Sequence, residues 1–231
     1  MKDYIFYPLA LCLALAVIAA AALPGRDRLG CGSVSGAGTD YKLVEVDGDD
    51  LCRMNAGGQA TIKRLTRNGE IEAIRVSSKV GELGDRADRN PHFPLAADLE
   101  KYFAGKRIHI TITARSSEDW GASAFEANYS AGREGSSDWQ TFRLTPNYRD
   151  YSFTWDVPPR IVQELTLDYL AIRPVVPDKQ RAVDIRSVVL KVVGRSAEIR
   201  ERLSDEPVQN TQADENAPED NTPTSEEPAA E

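Results

Sequence analysis

Between residues 41 and 193 apolar side chains alternate with polar ones at period two, and the runs are broken by Gly, Pro, Asn and Asp. Side chains that face opposite ways at successive positions mark half-buried strands, so the pattern predicts β structure through this stretch. The clearest run covers residues 107–115, where Ile108, Ile110, Ile112 and Ala114 share one face and His109, Thr111, Thr113 and Arg115 the other. Residues 122–129 set Phe125, Ala127 and Tyr129 opposite Glu126 and Asn128; residues 139–144 set Phe142 and Leu144 opposite Trp139, Thr141 and Arg143. Tyr151, Phe153, Trp155 and Val157 align on the next run. Residues 165–173 and 183–193 supply the last two strands, and residues 41–46, 59–65 and 70–77 the first. Short strands with turns between them and no long crossover helices predict an all-β fold, an antiparallel jelly-roll β-sandwich. Helix is expected only at the margins, over residues 95–103 and in a short segment at 195–203, where Ser196 caps and Glu198 and Arg202 pair at i,i+4.

The two ends of the chain read differently. Residues 4–23 run 20 positions without a charge, and a helix of that length spans roughly 30 Å of hydrocarbon. One N-terminal transmembrane helix is the favoured reading. A cleaved signal peptide, with Ala20 and Ala22 as the small residues before the cut, is its rival. Either way the bulk of the chain is expected in the periplasm or another extracytoplasmic space. The predicted organisation is a membrane anchor or signal segment at 1–28, a linker at 29–40, the sandwich at 41–194, a short helix at 195–203 and an acidic tail at 204–231. That tail has nine acidic residues, no basic one, and Val208 as its single large aliphatic side chain. It cannot bury enough apolar surface to offset the entropy of ordering, so disorder is expected.

Charge and residue inventory then exclude several functions. The 231 residues carry a formal net charge of −8, and without the tail the remainder holds 28 basic groups against 27 acidic ones, with no basic cluster. Nucleic acid is therefore not an expected partner. The chain has two histidines, His92 and His109, and lacks a Gly-x-Ser-x-Gly elbow, a phosphate-cradling glycine loop and a CxxC pair. Nucleophilic catalysis is unsupported, and neither a metal site nor a cofactor is expected. Glycoside hydrolysis would need Glu126 to meet Asp168 or Asp184; a cross-strand ion pair from Glu126 to Arg115 or Arg143 is the more ordinary expectation. Cys31 and Cys52 are the only cysteines outside the apolar segment that holds Cys12. An oxidising compartment makes them a disulfide candidate, with two buried free thiols as the alternative.

The strand succession AGKRIHITITAR (104–115), FEANYS (125–130), SSDWQTFRLTPNYRDYSFTWDVP (136–158), LDYLAIRP (167–174) and VDIRSVVLKVV (183–193) resembles the galactose-binding-like β-sandwich superfamily, which includes jelly-roll carbohydrate-binding modules. The resemblance implies a module that binds glycans, lipids or proteins, often without catalysis. It also raises a structural calcium ion, for which Asp47, Asp49, Asp50 and Asp184 offer hard oxygen ligands, although Asp-Gly-Asp-Asp is equally an ordinary turn. The candidate ligand-binding residues are Arg115, Glu126, Asn128, Trp139, Arg143, Tyr169 and Arg173, provided their strands are neighbours. An aromatic ring stacks on the apolar face of a pyranose while Arg, Asn and acids bond its hydroxyls. Trp155 and Tyr151 fall with Phe153 and are expected in the core. Trp120, within SSEDWGAS, belongs to a loop, as an anchor or a ligand platform. The function expected is a membrane-anchored, non-catalytic binding module for a cell-envelope glycan. The alternatives are an accessory subunit held against a protein partner in a membrane complex, and a polysaccharide-active enzyme.

Overall fold

Nine alternating runs and one short stretch without alternation form ten strands in a computed structural model that describes residues 31–160 and 167–197, together with residues 11, 12 and 14. They are β1 (Leu43–Asp47), β2 (Thr61–Arg67), β3 (Glu70–Lys79), β4 (His92–Pro94) and β5 (Lys106–Ser116). The second half of the domain adds β6 (Ala124–Ser130), β7 (Gln140–Arg143), β8 (Arg149–Asp156), β9 (Tyr169–Pro174) and β10 (Gln180–Arg195). A short helix, α1 (Ala97–Phe103), falls within the segment expected to be helical. Two antiparallel sheets form. The larger has the order β2-β3-β10-β5-β8, with β1 also beside β10; the smaller has the order β4-β9-β6-β7. The fold is thus a two-sheet antiparallel β-sandwich, as the alternation predicts.

Its core is the apolar face of each run. Ile108, Ile110, Ile112 and Ala114 of β5 are fully buried, and Phe125, Ala127 and Tyr129 of β6 and Leu170 and Ile172 of β9 belong to the same cluster. Phe142, Tyr151, Phe153 and Trp155 pack against it from the rim. Strand β10 keeps its inward phase by a bulge. It pairs with β5 from Val183 to Ile185, skips Arg186, and resumes at Ser187, so Val183, Ile185, Val188 and Leu190 all point inward. Strand β4 has no counterpart in the sequence reading, because three consecutive buried residues show no alternation.

Cys31 and Cys52 are joined by a disulfide with their Cα atoms 5.7 Å apart. Beside it the Arg53 guanidinium donates to the carbonyls of Cys31 (2.8 Å) and Ser33 (3.0 Å). Among the described residues no helix is long and apolar enough to cross a membrane. The predicted anchor at 4–23 lies outside the described residues apart from 11, 12 and 14; residues 198–203 of the predicted last helix and the whole acidic tail lie outside them too.

Candidate ligand-binding face

Strand pairing decides which of the outward side chains meet. In the smaller sheet Glu126 lies opposite Arg173 and Thr141, Asn128 opposite Ala171, and Ser130 opposite Tyr169. Because inward positions on these strands are apolar, the polar set shares the outer face. The Arg173 guanidinium donates from Nε to Glu126 Oε2 at 2.7 Å and from Nη1 to the Gly84 carbonyl at 2.6 Å. Its carbon sits 3.8 Å from the centroid of the Trp139 ring, and the indole Nε1–H donates to the Asp85 carbonyl at 3.1 Å. Ion pair, cation–π contact and backbone bonds fix Trp139, Arg173 and Glu126 as one unit. One face of the Trp139 ring is covered by that guanidinium, so the expected stacking platform is taken on that side by the protein itself.

The same outer face holds a groove of about 710 Å³, within the range of small-ligand sites. Asn128, Ser130 and Tyr169 contribute from the strands, the segment 85–88 forms one wall, and residues 132–136 form the other. Asp88 accepts two bonds from Arg86, at 2.9 and 2.8 Å, which offsets those charges against each other. Tyr169 packs edge-on against His92, with ring centroids 4.8 Å apart. His92 donates from Nδ1 to the Asn90 carbonyl at 2.7 Å, and burial lowers its pKa. Burial raises the Tyr169 phenol above its ordinary value, with the Asp88 charge adding to it. Asn128 is 5% exposed, and its Oδ1 has no hydrogen-bond partner among the protein's own groups. A buried amide oxygen without a partner costs free energy on the order of 1–3 kcal/mol.

Two candidates do not join the groove. Arg115 is on β5 of the larger sheet, where it pairs with Asp184 and Glu118, each at 3.2 Å, and lies 4.8 Å from the Tyr148 ring. It does not join the face built by β6, β7 and β9. Arg143 points to the right side, two positions beyond Thr141 on β7, and is exposed. Trp139, Glu126 and Arg173 come together, with Asn128 and Tyr169 beside them in the groove. The groove walls at 85–88 and 132–136 were not found from sequence. They are polar turns whose only local signal is a loop, and their placement over the smaller sheet depends on contacts distant in the chain.

The acid pairs that sequence spacing left open are not assembled. Asp168 lies inside the sandwich, accepting a bond from the Tyr129 hydroxyl at 2.9 Å and pairing with Arg160 at 2.8 Å. Glu126 is on the outer side of that sheet. Asp184 belongs to the larger sheet, fully buried between Arg75 (2.7 Å) and Arg115. Those two guanidinium groups meet its charge, and Asp50 of the acidic turn is bound by Arg53 at 2.8 Å. Among the described residues no group of three or more His, Cys, Asp or Glu is arranged to hold a metal ion. The expected ion pair from Glu126 to Arg115 or Arg143 is replaced by one to Arg173 at 2.7 Å, because Arg173 of β9 lies directly opposite Glu126, whereas Arg143 lies opposite Ala124 and β5 does not neighbour β6.

No protein-family model and no curated protein matches the chain. The solved structures similar to it include carbohydrate-binding modules. One is the family 22 module joined to a xylanase catalytic module of Clostridium thermocellum, solved with xylohexaose: 14% identity, TM-score 0.43, covering 65% of this chain and 28% of that one. Another is the family 22 xylan-binding domain of a Paenibacillus barcinonensis xylanase: 8% identity, TM-score 0.40, covering 62% and 86%. A third is the C-terminal family 22 module of the C. thermocellum xylanase: 14% identity, TM-score 0.39, covering 69% and 90%. What those modules bind is a property of those modules.

Proposed function

We propose that the chain is a non-catalytic glycan-binding module, held on the extracytoplasmic side of a membrane by residues 4–23, that takes a cell-envelope glycan into the groove on the smaller sheet. The observation that carries this reading is the composition of that groove. The Tyr169 ring offers an apolar face, and the Ser130 and Ser136 hydroxyls and the Asn128 side chain line the cleft. These are groups that hold a ring with hydroxyls on its edge and C–H bonds on its faces. The Trp139–Arg173–Glu126 unit then serves as a rigid rim, setting the 84–85 backbone against the sheet.

The test is calorimetric titration of the full chain, in detergent, with soluble glycans selected on a glycan array. Tyr169→Ala is expected to weaken binding at least tenfold while leaving the thermal unfolding midpoint within a few degrees of the parent. Absence of any bound glycan, or equal affinity of parent and variant, rejects the reading. A protein that co-purifies in stoichiometric amount while no glycan binds would favour the accessory-subunit alternative.

A further inference from the structure

We propose that Trp120 is a second glycan contact, built from residues separate from the groove. Its indole stacks on the apolar face of a sugar ring, while Glu118 and Asp119 accept that sugar's hydroxyls. The proposal rests on the glycan-binding reading but places a site that the groove does not include.

Trp120 is 55% exposed. The chain's other two indoles are occupied, Trp139 beneath Arg173 and Trp155 against the Tyr129 ring with centroids 5.0 Å apart. The loop that displays it is tightly built. Trp120 takes a left-handed backbone with φ of 56°, a conformation that a bulky side chain adopts only where its surroundings impose it. Those surroundings are visible. The Ala182 N–H donates to the Trp120 carbonyl at 2.7 Å, and the Ala122 N–H donates to the Ala182 carbonyl at 2.8 Å, clamping the loop to β10. At the next position only glycine fits, because a Cβ on Gly121 would lie 2.3 Å from Ser116 Oγ and 2.4 Å from the Ser117 carbonyl. Arg115 restrains Glu118 and Arg75 restrains Asp119, each at 3.2 Å, while the two acids stay 75% and 80% exposed. The loop therefore accepts backbone strain to present one flat ring and two carboxylates to water.

Its surroundings favour a sugar over a protein partner. Apart from Trp120, none of the large exposed hydrophobic residues lies in this loop. A protein hot spot needs a surround of packed contacts that excludes water, whereas a pyranose needs one ring and a few acceptors.

The experiment titrates the full chain with xylohexaose, cellohexaose and chitohexaose, and compares the parent with Trp120→Gly and Tyr169→Ala. Trp120→Gly relieves the left-handed strain, so its thermal midpoint should equal or exceed the parent's, and lost binding cannot then be laid to unfolding. For the oligosaccharides the parent binds, Trp120→Gly is expected to lower affinity at least tenfold or to halve the number bound per chain. Unchanged affinity and stoichiometry in Trp120→Gly overturns the proposal; if Tyr169→Ala still loses binding, the groove reading survives alone. Loss of a co-purifying protein in Trp120→Gly with unchanged sugar binding also overturns it. No binding of any of the three by the parent removes this site and weakens the glycan reading with it.

Discussion

At the level of single residues, the outer face of the smaller sheet and the inner face beneath it use charge in opposite ways. Arg173 and Glu126 meet at a partly exposed surface, where the pair chiefly fixes geometry and holds Trp139. Asp168 is 1% exposed, faces Tyr129, Arg160, Glu100 and Glu134, and has its pKa raised to about 6, chiefly by burial. An acid whose pKa is higher in the folded chain keeps its proton there at pH values where the unfolded chain has released it. Folding stability therefore falls as pH rises from the ordinary carboxyl value of 3.8 to about 6, by roughly 3 kcal/mol across that window. The side chain cannot titrate in Asp168→Asn. Urea unfolding of parent and variant from pH 3.5 to 7 should give curves whose difference changes by at least half of that amount between about pH 4 and pH 6.5. Parallel curves would mean that Asp168 has the same pKa folded and unfolded, the Arg160 charge offsetting its burial. Such a change would be felt at the groove, since Asp168 lies between Leu167 and Tyr169, and Tyr129 between Asn128 and Ser130, all four of them lining residues.

At the level of elements, β10 organises the larger sheet. Its first half pairs with β3, from Gln180 to Ile185, and its second with β1, from Ser187 to Lys191, while β5 runs along the other edge. The partner changes at Arg186, the residue that the bulge leaves out of the pairing with β5. Freed from the pleat, Arg186 lies 3.8 Å from the Tyr148 ring and pairs with Glu72. Since it is the surplus residue, deleting Arg186 keeps Val188 and Leu190 facing inward and should cost only about 1–2 kcal/mol for the lost ring and ion contacts. Deleting Val189 reverses the phase beyond it, exposing Leu190 and burying Lys191, and should abolish cooperative unfolding. Equal loss of the transition in both variants would contradict this account of the bulge. The contrast also marks what a sequence can disclose about elements. Alternation on β5, β6 and β8 identified both strand and inward face, because each run is long enough for a period to repeat. β4 offered three buried residues and no period, and nothing local to VDIRSVV shows that one residue is surplus.

For the whole molecule, sequence patterning separated inside from outside but could not assign outward residues to a sheet. Arg115 and Glu126 read alike as polar positions on neighbouring runs, yet β5 pairs with β10 and β8 while β6 pairs with β9 and β7. Sheet membership is settled by pairings between distant parts of the chain, so six candidates share one face, five of them at the groove and its rim, and Arg115 went to the other sheet. The same long-range logic applies where the chain enters the domain. Val34 bridges to Leu95 and donates its N–H to the Pro94 carbonyl beside the smaller sheet, while Cys31 is bonded to Cys52 in the turn after β1 of the larger sheet. One covalent link thus fastens the entry segment where both sheets are reached. Closing 21 residues of chain restricts the unfolded state by about 3 kcal/mol. Cys31→Ser with Cys52→Ser should therefore lower the thermal midpoint by roughly 6–12 °C, given the usual sensitivity of about 2–4 °C per kcal/mol for chains of this size. Reducing agent should shift the parent to the same midpoint and leave the double variant unmoved. An equal midpoint for parent and double variant would mean that Arg53, through its bonds to the Cys31 and Ser33 carbonyls, holds the entry segment without the covalent link.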